Sequence, residues 1–442
     1  MNYYSTGKQS PLASLQDAVI KGLAADKGLY MPEKIKRLPD VFFNEMKDMS
    51  FQEIACRVAG AFFGEDMEAG TLQSIVYDTL NFETPLVKVK ENPITCHPSP
   101  VTIYSLELFH GPTLAFKDVG ARFMARLLGY FIKKEGIKDI NVLVATSGDT
   151  GSAVANGFLG VDGIHVYVLY PKGKVSAIQE CQFTTLGQNI TALEIDGVFD
   201  DCQALVKAAF LDRDLNEKLR LTSANSINVA RFLPQAFYYF NAYAQLLRKG
   251  IKENIVICVP SGNFGNLTAG LIAHKMGLPV KRFIAANNAN DVFLQYLLTG
   301  IYNPQPSVQT LANAMDVGDP SNFVRILDLY NHDHTTITQL ISGYCCPDER
   351  IRETVKTCYE ETGYLLDPHG ACGYRVLTEN LQPNETGVFL ETAHPAKFKD
   401  TIESIIQHNI EIPERLQAFM KGKKQSISLG KEFQEFKEFL MK

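Results

Sequence analysis

One local pattern occurs twice in this chain and limits what it can fold into. The apolar run Asn141-Val142-Leu143-Val144-Ala145 passes through Thr146-Ser147-Gly148-Asp149-Thr150-Gly151 into a helical pattern that starts near Ser152. Ile255-Val256-Ile257-Cys258-Val259 passes in the same way through Pro260-Ser261-Gly262-Asn263-Phe264-Gly265-Asn266 into a helix through Leu271 and Ile272. Strand, glycine turn and helix start form the crossover unit of a parallel sheet, with ligands at the carboxyl ends of the strands. Further β-branched runs at 164–169, 282–286 and 388–390 alternate with helical patterns, so the expected class is α/β with mostly parallel sheets covered on both faces. The first turn of each helix offers unpaired N–H groups and the positive end of the helix dipole, which suits an anion. Neither loop has the lysine of a Walker motif or the G-x-G-x-x-G spacing, so a nucleotide is disfavoured. A phosphorylated cofactor and a phosphorylated substrate would fill two such cradles.

At 442 residues the chain exceeds one ordinary core, and two or three domains are expected. The turn-rich stretch 91–100 holds three prolines and marks a border, giving an N-terminal domain over 1–95 with a helix near residues 14–23. A smaller α/β domain is expected over 96–220 and a larger one over 221–442. The tail from Pro413, with Phe419, Phe433, Phe436 and Leu440 among charges, reads as amphipathic helix. Forty-three basic and forty-nine acidic side chains leave a net charge of -6 with no basic run, which argues against nucleic acid. The apolar runs are too short for a membrane span, and the first residues lack an export signal, so a cytoplasmic protein is expected. Nine cysteines without a Cys-x-x-Cys pair read as reduced thiols, and the nearby His332 and His334 read as a polar loop and not a metal site.

A third element is Phe109-His110-Gly111-Pro112-Thr113-Leu114-Ala115-Phe116-Lys117-Asp118, followed by a helical pattern over about 119–134. Asp118 suits the N-cap, and the apolar residues before Lys117 would desolvate its ammonium and favour the neutral amine that a Schiff base requires.

These three segments, in this order, resemble threonine synthases among the fold type II (tryptophan synthase β-like) pyridoxal phosphate enzymes. The resemblance extends to 22–32 (Gly-Leu-Ala-Ala-Asp-Lys-Gly-Leu-Tyr-Met-Pro), to Ser223-Ala224-Asn225-Ser226-Ile227-Asn228, and to 391–398 (Glu-Thr-Ala-His-Pro-Ala-Lys-Phe). It implies two open parallel-sheet domains plus an N-terminal domain, and pyridoxal 5'-phosphate as cofactor. Lys117 would carry that cofactor, the backbone and amides of Gly262, Asn263, Phe264, Gly265 and Asn266 would hold its phosphate, Asp149 would lie near its ring oxygen, and Thr392 would meet the pyridine nitrogen. Thr150, Ser226 and Arg231 would take the substrate phosphate. Two departures stand out. Gly370 follows His369 where the family often has threonine, and Lys8 replaces an arginine frequent near the N-terminus.

The resemblance further implies γ-elimination of phosphate from O-phospho-L-homoserine and β-addition of water, giving L-threonine. A monomer or homodimer is expected. The rival readings are an amino-acid dehydratase or phospho-lyase on the same scaffold, and a non-catalytic metabolite-binding homologue.

Overall fold

The two strand–turn–helix units lie in different sheets. Strands Ile140–Ala145 and Ile255–Pro260 are buried at every position, which is why both read as continuous apolar runs instead of alternating ones. The computed structural model describes residues 1–93, 100–136 and 139–442.

The chain divides into two compact units that interleave in sequence: residues 1–33, 117–233 and 412–442 form the first, and 34–116 and 234–411 the second. In the first unit, strands Ile427–Leu429, Ile190–Ile195, Ile164–Pro171, Ile140–Ala145 and Arg220–Ser223 pair in that order, all parallel. A short antiparallel pair, Tyr3–Ser5 with Tyr30–Pro32, belongs to the same unit. In the second unit the order is Ile341–Cys345, Arg282–Asn287, Ile255–Pro260, Thr386–Glu391, Pro100–Glu107 and Leu86–Pro93. Its pairs are parallel except the last, which is antiparallel. The loops beyond the carboxyl ends of the parallel strands are the natural ligand positions in such open sheets.

The borders expected at 95 and 220 do not coincide with these units. The proline-rich stretch connects two paired strands of one sheet, and its residues 94–99 lie outside the described residues. The segment expected as an N-terminal domain is shared between the units. Val19, on helix Leu15–Lys21, accepts an N–H from Asn228 in the first unit, while Leu38 donates to the Met276 carbonyl in the second. Ser14 caps the first of these helices, as its residue type predicts.

The tail is not one helix. Helices Glu414–Met420 and Phe433–Leu440 flank the strand Ile427–Leu429, and Phe436 and Leu440 enter the first unit's core with Leu193, Ile195, Cys202 and Leu205. Among the described residues no helix is long and apolar enough to cross a membrane.

Candidate active site

In the second unit, Gly262 and Thr392 follow the carboxyl ends of two adjacent parallel strands, Ile255–Pro260 and Thr386–Glu391. Phe264, at φ 61°, turns the backbone through the left-handed region and starts helix Gly265–Lys275 with no side chain capping it. Asn266 Oδ1 accepts the Leu267 N–H at 2.9 Å, so the first turn keeps the N–H groups of Gly265 and Asn266 for an outside acceptor. A Cβ on Gly262 would stand 2.6 Å from the Ala314 carbonyl oxygen and 2.8 Å from Met315 Cα, so only glycine allows this approach of two backbones. The asparagine amides brace the turn. Asn263 Oδ1 accepts the Ser321 N–H at 2.6 Å, Asn322 Nδ2 donates to the Asn263 carbonyl at 2.9 Å, and Asn266 Nδ2 donates to the Pro260 carbonyl at 2.9 Å. The contribution expected of these amides to an anion thus passes mainly to the backbone.

Thr392 is buried, and its carbonyl accepts the Phe116 N–H at 2.9 Å. Ala115 and Ala393 form a short antiparallel bridge beside that bond, so the residues before Lys117 are pinned to the end of the strand that precedes Thr392. Leu114 takes a positive φ of 56°, and Lys397 Nζ donates to the Thr113 carbonyl at 2.9 Å. The stretch before the lysine is accordingly a fixed, buried turn.

In the first unit, helix Lys117–Glu135 begins at the lysine itself. Asp118 lies inside the first turn and is not its cap, where its charge still favours the helix dipole. Arg231 is 2% exposed and donates from Nε to the Ala224 carbonyl at 2.7 Å and from Nη1 to the Lys117 carbonyl at 3.0 Å. Burial pulls its pKa down to about 10, against an opposing pull from Asp118, so the guanidinium is charged at neutral pH. The short helix Val229–Phe232 that carries it is capped by Asn228, whose Oδ1 accepts the Ala230 N–H at 3.0 Å. Gly120 makes the approach feasible, because a Cβ there would meet the Arg231 carbonyl oxygen at 2.3 Å.

Ser226 lies in the turn after strand Arg220–Ser223, and Thr150 in the first turn of helix Asp149–Phe158, which follows the adjacent strand Ile140–Ala145. Asn225 Nδ2 donates to the Ala145 carbonyl at 3.1 Å and ties the two strand ends together. The Thr146 hydroxyl accepts the N–H groups of Gly148 at 2.9 Å and Gly151 at 2.7 Å, and Gln179 Nε2 holds the buried Asp149 carboxylate at 2.9 Å. The two glycine loops, alike in sequence, thus differ in chemistry. Thr146 takes the Gly151 N–H and Asn266 Oδ1 the Leu267 N–H, each third in its helix, but Thr146 also takes the Gly148 N–H in the first loop.

Sequence reasoning passed over Thr146, Gln179 and the pair Asp367 and His369. An Asp-Pro step is a helix-start signal, and Asp367 does cap helix Pro368–Asn380. Gly370 leaves room that Glu391 fills, since a Cβ there would lie 1.7 Å from Glu391 Oε2.

The family description "Pyridoxal-phosphate dependent enzyme" matches residues 78–392. Those for the threonine synthase N terminus and the threonine synthase C-terminal region match 2–80 and 370–440. The chain belongs to the threonine synthases. Threonine synthase of Haemophilus influenzae is 44% identical over 442 residues, covering 100% of both chains, and that of Escherichia coli 42% over 416 residues, covering 94% of both. The crystal structure of the Escherichia coli threonine synthase superposes with a TM-score of 0.92 at 40% identity, covering 100% of this chain and 99% of the other. A PLP-bound threonine synthase from Brucella melitensis gives 0.90 at 33% identity, covering 100% and 98%. The described residues fit the family's cofactor. An uncapped helix start behind a glycine that tolerates no side chain suits a phosphate, and a lysine stands at a second helix start.

Proposed function

We propose that this enzyme converts O-phospho-L-homoserine and water into L-threonine and phosphate, with Lys117 carrying the cofactor and moving the protons. Bound pyridoxal phosphate supplies the electron sink that makes the proton at the substrate's Cα removable. Lys117 Nζ would take that proton, pass it to the electron sink and so be free again as the base for one from Cβ. The N–H groups of 262–266 would hold the cofactor phosphate, the Thr392 hydroxyl would serve the pyridine nitrogen, and Asp149, held by Gln179, would serve the ring oxygen. Thr150, Ser226 and Arg231 meet the substrate phosphate as it leaves the γ carbon. Arg231 is suited to this because it keeps a full charge in a buried setting, where charge stabilisation is strongest. Water adds its hydroxyl at Cβ, Cγ and Cα each regain a proton, and threonine departs.

The observation that carries the reading is the glycine loop at 262–266. Its Gly262 tolerates no side chain and its helix start keeps the Gly265 and Asn266 N–H groups, which supports cofactor phosphate there, while Thr146 takes the Gly148 and Gly151 N–H groups of the other loop, where side chains are left to meet the substrate phosphate. We further read the protein as a cytoplasmic monomer or homodimer that acts on a small molecule and not on nucleic acid. The test is to incubate the purified protein with O-phospho-L-homoserine and follow phosphate and threonine together. Equal release supports the reading, and phosphate with 2-oxobutanoate instead of threonine refutes it. Lys117→Ala should abolish covalent cofactor attachment, and a covalent adduct that persists in that variant would remove the lysine from its role.

A further inference from the structure

Beneath Thr392 lies a buried polar group that the reaction as described does not use. Asp367 and Glu391 are fully buried and His369 is 2% exposed. Asp367 accepts the N–H groups of His369 at 2.6 Å, Gly370 at 3.3 Å and Ala393 at 3.1 Å, and it meets His369 Nδ1 at 2.6 Å. Its own N–H goes to Glu391 Oε1 at 2.6 Å. Thr392 is therefore held from both sides by one residue: Asp367 binds the side chain of the residue before it and the backbone of the residue after it. His369 extends the group. Its Nε2 accepts the Ala314 N–H at 3.2 Å, which leaves the ring proton on Nδ1, facing Asp367. Ala314 is the residue whose carbonyl packs where a Gly262 side chain would be. One hydrogen-bonded line thus runs from Ala314, which packs against Gly262, through His369 and Asp367 to both neighbours of Thr392. Burial, and then the neighbouring Asp367, push the Glu391 carboxyl well above the usual carboxylate range.

We propose that Asp367 is a positioning residue for the reaction, which sets the Thr392 hydroxyl through the backbone on either side of it. The proposal rests on the reading that Thr392 meets the ring nitrogen. Buried partners that fix a functional side chain are worth on the order of 10- to 100-fold in activity or affinity when removed, because sub-ångström misplacement is enough. Donors to Asp367 come from 369–370 and from Ala393, so the carboxylate ties the start of one helix to the backbone beside Thr392.

The test is a double-mutant cycle on the cofactor-loaded enzyme, with Asp367→Asn, Thr392→Val and both together. It reads the cofactor's visible absorption maximum, its dissociation constant and kcat. Thr392→Val should shift the absorption maximum and lower kcat, and Asp367→Asn should lower kcat about tenfold with a shift in the same direction. In the Thr392→Val background, Asp367→Asn should add less than about twofold, because groups that act through one another are not additive. Additive effects would overturn the positioning role and leave a structural one. An unchanged spectrum in Thr392→Val would refute the reading of Thr392 itself, and the inference with it. A shift in Thr392→Val but none in Asp367→Asn would sink the inference alone. Should Asp367→Asn not fold, His369→Gln replaces it in the cycle, since it removes the ring donor and keeps the carboxylate; additivity there would equally overturn the proposal.

Discussion

Placing a single methyl group on Gly262 tests how closely the glycine loop is built. Its Cβ would sit 2.6 Å from the Ala314 oxygen and 2.8 Å from Met315 Cα, both backbone atoms that no rotamer change can move aside. Ordinary contact for such pairs is about 3.4 Å or more, so one of the two backbone segments must retreat by roughly half an ångström or more. Overpacking of this kind costs about 1–3 kcal/mol. If the 262–266 turn yields, that strain appears in cofactor binding as a loss of about 5- to 150-fold; if 312–315 yields, it appears as lower stability. Equilibrium dialysis with pyridoxal phosphate, run beside thermal unfolding of the cofactor-free protein, reads both. Pyridoxal, which lacks the phosphate, should lose less affinity than the phosphorylated cofactor. Gly60→Ala is the control, because that glycine sits in helix Phe51–Phe63 with nothing within 4 Å of its would-be Cβ and should be neutral or stabilising by up to about 1 kcal/mol. Cofactor affinity within twofold of wild type and an unchanged midpoint in Gly262→Ala would refute the reasoning.

Three further changes have definite outcomes. Arg231→Lys keeps a charge but cannot reach both the Ala224 and Lys117 carbonyls with a planar fork, so kcat/KM for the phosphorylated substrate should fall at least tenfold while cofactor affinity stays within about threefold; steady-state kinetics and dialysis check this. Gly148→Ala forces a side chain into a backbone at φ 141° and within 2.7 Å of Gln179, so it should free Asp149 from its partner and lower both activity and the thermal midpoint. His394 is held at a pKa of about 4, below the ordinary 6.5, chiefly by burial and then by His110. The unfolded chain therefore takes up that proton first as pH falls, so stability is fully present above pH 6.5 and is lost towards pH 4, by up to about 3 kcal/mol. In His394→Asn, which retains an acceptor for the Ala396 N–H, denaturation midpoints should fall less between pH 6.5 and 4 than in wild type.

What the sequence disclosed depended on how fully each element is buried. The runs at 140–145 and 255–259 are apolar on both faces and match strands to within a residue. Strand Leu86–Pro93 escaped notice because it is the last of its sheet, and Lys88 and Lys90 break its apolar pattern as charged residues do on edges. Strand Ile427–Leu429 is three residues long and carries no periodicity to read. At the candidate site, the glycine loops pointed to bound phosphate, and the family resemblance, more than residue type, singled out Lys117. Partners were not legible: nothing local to Arg231 indicates that its donors end on carbonyls at 117 and 224. Nor does the likeness of the two glycine loops reveal that Thr146 occupies the backbone donors of one of them.

The interleaving of the two units bears on how this protein is made. A chain emerging from the ribosome at about 5–20 residues per second usually finishes one domain before starting the next. Here the first unit opens with residues 1–33 and closes only with 412–442, which supply the sheet strand beside Ile190–Ile195 and the core residues Phe436 and Leu440. The second unit is complete by residue 411. The unit begun first is therefore the one finished last, and until the final residues are out its sheet exposes an unpaired strand to whatever helps or hinders nascent chains.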